Sequence, residues 1–176
     1  GIDSVRDTIA WYYYEKTPGV YKLTDRQEAL LDAAEKYNID VLLIPLGRNG
    51  IYDGMLSNPT LMTKEAAVHY GDFVYNLLKE DKIRRTVKKI EIWNEPEGVS
   101  YNGTRCIDAD PEKYGQAYTD ICRMFYDPIK KYNGDAKVIG GTMWLATDND
   151  IKAVESEYKS GIDNYTDMIG WHPYST

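Results

Sequence analysis

The chain has 176 residues, of which 43% are hydrophobic and 28% are charged, and its formal net charge is −7. This balance is typical of one globular domain with a hydrophobic core, and no apolar run approaches the length that spans a bilayer. An acidic chain without a basic stripe argues against DNA or RNA as the natural partner.

Predicted strands and helices alternate along the chain. The strands are predicted at residues 4–10, 40–46, 89–93, 137–144 and 167–174. The helices are predicted to begin at Thr24, at Thr63 or Lys64, at Pro111 and at Asp150. With no hairpin signal between the strands, this alternation predicts a parallel sheet, either doubly wound or closed into a barrel.

Two cysteines, Cys106 and Cys122, and two histidines, His69 and His172, are the candidates for redox or metal chemistry. The cysteines form no C-x-x-C pair, and the histidines lie far apart in sequence. The pattern therefore predicts neither a disulfide framework nor a metal site.

Polar and aromatic residues collect where the predicted strands end. The third strand ends in Trp93-Asn94-Glu95-Pro96 and the fifth in Trp171-His172-Pro173-Tyr174, while Trp11 and Trp144 follow the first and fourth strands. In parallel α/β folds the functional groups gather at the carboxyl ends of the strands. These ends therefore predict a cleft for a polar ligand with flat faces.

Glu95 is the most informative residue of this set. A regular strand would point Asn94 and Glu95 to opposite faces, so the strand must end or bulge if both face a ligand, and Pro96 is consistent with that. A carboxylic acid in an aromatic pocket can act as a general acid on a glycosidic oxygen. The residues alone leave a second interpretation open, in which Glu95 is a solvated loop carboxylate or a helix cap.

The segment Ile90-Glu91-Ile92-Trp93-Asn94-Glu95-Pro96-Glu97 resembles the fourth-strand motif of the clan A retaining glycoside hydrolases. Residues 1–6 with Trp11 resemble the second strand of those enzymes, residues 136–141 the fifth and residues 167–174 the sixth. The motifs resemble those of family 39 most, followed by those of family 5. The resemblance implies an α/β fold in which residues 1–176 form a single, partial (β/α)8 TIM barrel domain covering roughly strands two to six.

The resemblance assigns roles to three residues. Glu95 would be the general acid of the first step and the general base of the second. Asn94 would hydrogen-bond the 2-hydroxyl of the sugar. Arg6 would lie near the nucleophilic carboxylate and keep it ionised.

Five further residues are placed by the same resemblance. His172 and Tyr174 would line the pocket on the side of the acid. Trp144 and Trp11 are candidates for stacking on a sugar, with packing in the pocket wall as the open alternative. Glu91, deep in its strand, is interpreted as a buried carboxylate paired inside the barrel.

The resemblance also has gaps. The clan places its nucleophile, a Glu, at the end of the seventh strand, and strands one, seven and eight have no counterpart in these residues. Many members carry a His at the end of the third strand, where this chain has residues 44–49 without one.

The predicted function is therefore the acid/base-bearing portion of a retaining β-glycosidase or endo-glycanase, active on O-glycosidic bonds only as part of a complete barrel. One alternative is a non-catalytic carbohydrate-binding barrel fragment that lacks the nucleophile. Another is an unrelated α/β domain in which Glu95 points into solvent, away from His172 and Arg6.

The expected partner is an oligo- or polysaccharide, with no cofactor, metal, nucleic acid or membrane. A five-stranded arc has two open edges, which predicts pairing of two copies if the chain is complete at 176 residues. The substrate class alone predicts a secreted or cell-surface protein.

Overall fold

The computed structural model describes residues 1–47, 49–52, 64–96, 105–143 and 147–172. Its strands are β1 (Ser4–Ala10), β2 (Glu15–Thr17), β3 (Val20–Tyr21), β4 (Asp40–Leu46), β5 (Val87–Glu91), β6 (Lys137–Met143) and β7 (Met168–Trp171). Its helices are α1 (Trp11–Tyr14), α2 (Asp25–Tyr37), α3 (Lys64–Lys79), α4 (Asp81–Thr86), α5 (Cys106–Ala109), α6 (Pro111–Tyr132) and α7 (Asp148–Lys159), with a 3-10 turn at Ile162–Asn164.

The predicted parallel sheet is confirmed. Five strands pair in the order β1-β4-β5-β6-β7, and all four pairings are parallel. The sequence placed the third strand too late, because β5 runs from Val87 to Glu91 and its last predicted residues belong to the turn that follows. All strand carboxyl ends therefore meet at one edge of the sheet.

The expectation of a chain without hairpins is wrong at one place. β2 and β3 form a small antiparallel hairpin, and Gly19 in its turn adopts a φ of 75°. Strands of two or three residues have no readable alternation, so this segment resembled a loop in the sequence. The short helices α4 and α5 escaped prediction for the same reason of length.

Side-chain alternation divides the sheet into two faces. Val41, Leu43, Ile90 and Val138 belong to the buried core shared with the helices. Their neighbours in the strands, including Glu91, point to the opposite face. The opposite face therefore carries Arg6 and Glu91, together with apolar residues of β4 such as Ile44.

The helix starts follow local hydrogen-bond chemistry. Thr24 and Gln27 form the predicted capping box of α2, and the Asp110 side chain accepts from the Lys113 N–H at the start of α6. α7 starts earlier than predicted, because Thr147 is its N-cap and Asp150 completes the capping box as the third helical residue. These caps satisfy backbone N–H groups that have no partner within the helix.

α6 and α7 pack closely at a glycine. A Cβ atom on Gly115 would lie 2.5 Å from the Ala153 carbonyl oxygen and 2.7 Å from the Ser156 Cβ. Any larger residue there would push the two helices apart. Among the helices of the described segments, none is long and apolar enough to cross a membrane.

Candidate active site

The backbone changes direction where β5 ends. The Ile92 N–H still donates to the Ile139 carbonyl of β6 at 2.9 Å, but Trp93 and Glu95 adopt left-handed φ values of 66° and 48°. Such conformations cost a non-glycine residue about 1–3 kcal/mol each and persist where the surroundings enforce them. The prediction that the strand ends before Asn94 and Glu95 is confirmed.

Arg6 of β1 connects two residues of the β5 end. Its Nε and Nη2 donate to the two carboxylate oxygens of Glu91 at 2.9 and 2.6 Å, and Nη2 also donates to Asn94 Oδ1 at 2.6 Å. Because β4 lies between β1 and β5, the guanidinium reaches across one strand, a span of about 10 Å. The Glu91 side chain is only 3% exposed, and the bidentate pair compensates the burial of its charge.

The same contact fixes the orientation of the Asn94 amide. Arginine only donates hydrogen bonds, so the Asn94 oxygen must face Arg6. The Asn94 NH2 group is then the part of the amide that is directed away from the guanidinium. It is placed to donate to an oxygen of a bound ligand.

Glu95 and His172 meet across β6. The His172 Nδ1 lies 2.8 Å from Glu95 Oε1, and 37% of the Glu95 side chain is exposed against 17% of His172. The carboxyl group is therefore held in one orientation and is still open to a ligand. A carboxyl group in such a position is within reach of a ligand that needs a general acid or base.

No protein-family profile and no curated protein sequence matches this chain. Among solved structures it is similar to a family 39 glycoside hydrolase from the gut symbiont Bacteroides cellulosilyticus, with a TM-score of 0.74 and 23% identity over 98% of this chain and 33% of that one. A beta-galactosidase from the psychrophilic Marinomonas ef1 aligns with a TM-score of 0.68 and 11% identity over 99% and 37%. An exo-beta-1,4-mannosidase from an Opitutaceae bacterium aligns with a TM-score of 0.61 and 16% identity over 85% and 27%.

The chain has the fold of part of a glycoside hydrolase barrel. It spans about a third of the length of these solved structures. The predicted partial TIM barrel and the predicted resemblance to clan A enzymes are confirmed at the level of the fold. At such identities the likeness carries no further than the fold.

Trp11 is not accessible to a sugar, so it is wrong as a candidate for stacking, and the packing alternative applies. Trp11 is fully buried, its Nε1 donates to Glu15 Oε2 at 2.5 Å, and its ring stacks on Phe73 at 5.5 Å. A residue just beyond a strand can turn under the sheet as readily as over it. The acid four residues later was the one local signal of this turn.

Glu15 is the centre of a second polar cluster in the barrel segment. It is fully buried, and its Oε1 accepts from the Gly19 N–H at 2.7 Å and from the Tyr52 hydroxyl at 2.5 Å. The Asn49 Nδ2 donates to the Glu15 backbone carbonyl at 2.6 Å. Burial, with the hydrogen bond to Glu15, raises the pKa of Tyr52 to about 12. The cluster joins the hairpin to residues 49–52, and it was not predicted.

The remaining predicted residues divide into two groups. Trp144 and Tyr174 lie outside the described residues. The Arg6 side chain contacts Asn94, and Glu95 contacts His172, which contradicts the alternative in which Glu95 points into solvent away from His172.

Two partnerships in the barrel segment were missed by sequence reasoning. Glu91 is buried and paired, as predicted, but its partner Arg6 was not identified. The bond from Tyr118 of α6 to the Ile92 carbonyl, at 2.6 Å, was not predicted at all. Both link residues from different strands and helices, so no local pattern marks them.

Metal chemistry finds no ready donor set in the described part of the chain. Within it, no group of three or more His, Cys, Asp or Glu side chains is arranged to hold an ion. Cys106 and Cys122 are both free thiols.

Proposed function

We propose that this chain is the acid/base-bearing portion of a retaining β-glycosidase or endo-glycanase that acts on O-glycosidic bonds of an oligo- or polysaccharide. The observation that carries the proposal is the accessible Glu95 carboxyl, which contacts His172 at 2.8 Å at the carboxyl edge of a parallel sheet. The likeness in fold to solved glycosidases also supports hydrolysis of glycosidic bonds as the reaction class.

In the first step of the proposed reaction, the Glu95 carboxyl donates its proton to the glycosidic oxygen as the bond to the anomeric carbon breaks. A carboxylate from the remainder of the barrel attacks that carbon and forms a glycosyl ester. In the second step the Glu95 carboxylate takes a proton from water, whose oxygen attacks the anomeric carbon and displaces the carboxylate of the ester. The enzyme carboxylate is released and the configuration of the sugar is retained.

The neighbouring contacts suit this reaction. The Asn94 NH2 group, oriented by Arg6, would donate to the 2-hydroxyl of the sugar, a contact that strengthens as positive charge develops at the ring. His172 would hold Glu95 in the position from which it donates. Arg6, already paired with Glu91, would contribute its charge to the same pocket.

The proposal extends to a class of substrate and not to one sugar. The solved neighbours include a beta-galactosidase and an exo-beta-1,4-mannosidase, which differ in the sugar that they are named for. A retaining enzyme needs two carboxyl groups about 5–5.5 Å apart. We therefore propose that the chain works inside a complete barrel and is inactive alone.

The test is Glu95→Gln in the complete protein. On glycosides with poor leaving groups we expect kcat/KM to fall by about 10²–10⁴, because proton donation is lost. On aryl glycosides with good leaving groups the first step needs less acid, so the fall is smaller, and azide restores turnover by replacing water in the second step. Glu155→Gln on the exposed face of α7 is the matched control.

Full activity of Glu95→Gln on an unactivated glycoside would overturn the assigned role. Binding of an oligosaccharide by the complete protein without any hydrolysis would favour the non-catalytic carbohydrate-binding alternative.

A further inference from the structure

The backbone of the turn that presents Asn94 and Glu95 leaves the ladder between β5 and β6 after Ile92. β5 and β6 pair through Glu91 and Ile139, and the Ile92 N–H makes the last bond toward β6. Beyond it, Trp93 and Glu95 both have positive φ values. A turn with two such residues requires support from outside its own backbone.

α6 supplies support at the residue where the turn begins. The Tyr118 hydroxyl donates to the Ile92 carbonyl at 2.6 Å, and Tyr118 is fully buried. The Ile92 N–H donates to the Ile139 carbonyl, and the Ile92 carbonyl accepts from the Tyr118 hydroxyl. Both backbone polar groups of Ile92 are therefore fixed. The direction in which the chain enters Trp93 is therefore set by a helix side chain.

The Tyr118 hydroxyl is suited to a permanent donor role. Burial, and then the nearby Cys122 and Glu157, raise its pKa well above the ordinary value for tyrosine. It therefore keeps its proton throughout the pH range of any assay. The Trp93 ring, 3% exposed, meets Tyr70 edge-to-face at 5.1 Å.

We propose that Tyr118 is a positioning residue for the acid/base group: its hydroxyl holds the Ile92 carbonyl and thereby sets the left-handed turn that aims Glu95 at the substrate, while Arg6 holds Asn94. The inference rests on the proposed glycosidase function. Tyr118 itself does not touch the substrate, because it lies on the helix side of the sheet.

The test is Tyr118→Phe in the complete protein, which removes one oxygen and keeps the ring. A displacement of a catalytic group by about 1 Å can lower a rate by about 10². We expect kcat on unactivated glycosides to fall by about tenfold to a hundredfold, with KM within about twofold. On aryl glycosides with good leaving groups kcat should fall less than about threefold, since that step depends little on proton donation.

The ratio of the two rates is the decisive measurement. Both rates come from one preparation, so their ratio does not depend on how much of the variant is folded. Tyr132→Phe is the control: it lies on the same helix and loses a hydroxyl that bonds the Tyr75 hydroxyl at 2.6 Å, far from the turn. We expect its ratio to equal that of the parent.

A parent-like ratio for Tyr118→Phe would overturn the inference, as would a variant that never folds, because the hydroxyl would then serve the fold and not the turn. The proposed function fails separately. If Glu95→Gln is fully active, the role of Glu95 is wrong; if Glu95→Gln is inactive and Tyr118→Phe has a parent-like ratio, only the positioning role is wrong.

Discussion

Glu15 and Glu95 are two carboxylates that follow strands of the same sheet and lie near tryptophans in sequence. Glu15 is fully buried, and its oxygens accept hydrogen bonds from the Trp11 indole, the Gly19 backbone and the Tyr52 hydroxyl. Glu95 keeps 37% of its side chain exposed and contacts an imidazole.

The difference shows which property makes a carboxylate chemically useful. Glu15 is held by three neutral hydrogen-bond donors and is fully buried. It therefore serves as an anchor and is closed to a ligand. Glu95 is partnered by an imidazole, and its surface is open to a substrate. Proximity to an aromatic residue in sequence does not separate the two, whereas exposure and the kind of partner do.

The largest expected effect separates Glu15 from Glu95 by stability. Glu15→Ala leaves the buried Trp11 indole and two partly buried donors without this acceptor, and should lower the free energy of unfolding by about 3 kcal/mol. Glu95→Ala, at an accessible position, should lower it by less than about 1 kcal/mol. Denaturant unfolding of both variants measures the difference, and equal losses would show that Glu15 is no anchor.

The next effect concerns the buried Glu91 beneath the site. Arg6→Met leaves its carboxylate without a counter-charge and should cost about 2 kcal/mol, less than for a fully buried pair because 41% of the Arg6 side chain is exposed. Adding Glu91→Met removes the stranded charge, so the double variant should recover about 1 kcal/mol or more. Thermal unfolding of the two single variants and the double variant checks this.

Strict additivity in that cycle would contradict the pairing of Arg6 with Glu91. Non-additive free energies of unfolding in the cycle would support the pairing. With a smaller loss for Glu95→Ala, the comparison would then cover three carboxylates in three different environments: Glu15, Glu91 and Glu95.

The smallest effect concerns Asp167, the residue before β7. Its side chain accepts from the Lys130 Nζ at 2.5 Å and from the Val138 N–H at 2.8 Å. Burial alone would raise the pKa of Asp167, but these two hydrogen bonds outweigh it and lower the pKa below the ordinary 3.8.

Because the folded pKa of Asp167 lies below the unfolded one, its contribution to stability is complete above about pH 5 and is lost as the pH falls through the folded value. Asp167→Asn should therefore cost about 0.5–1 kcal/mol near pH 7 and almost nothing at the acid end. Urea unfolding from pH 7 to pH 2.5, with exposed Asp135→Asn as the control, checks the trend. A constant difference across that range would contradict it.

Much of the fold was predictable, because its signals are local. The apolar run of β4 and the capping box at Thr24 each express a rule that acts within a few residues. The hairpin of β2 and β3 was missed because its strands are too short for any periodicity. Its geometry depends on Glu15, whose partners include Tyr52, far along the chain.

The site divides in the same way. The end of β5 before Asn94 and Glu95 could be predicted from Pro96 and from the alternation of a strand. The burial of Trp11 and the bond from Tyr118 to the Ile92 carbonyl could not, since each is decided by packing between segments distant in sequence. The roles of Arg6, Asn94, Glu95 and His172 in a reaction stay predictions.

The parallel order of the sheet also governs how the chain can reach its native state. Partners in neighbouring strands lie about 30 to 50 residues apart, as with Ile139 and Met168 or Lys89 and Lys137. Each pairing therefore closes a long loop, and the loss of chain entropy comes before the hydrogen bonds that offset it. Such high contact order slows folding. We expect the left-handed turn at Trp93 to form only after β6 and α6 are in place, because the Ile92 backbone bonds to both.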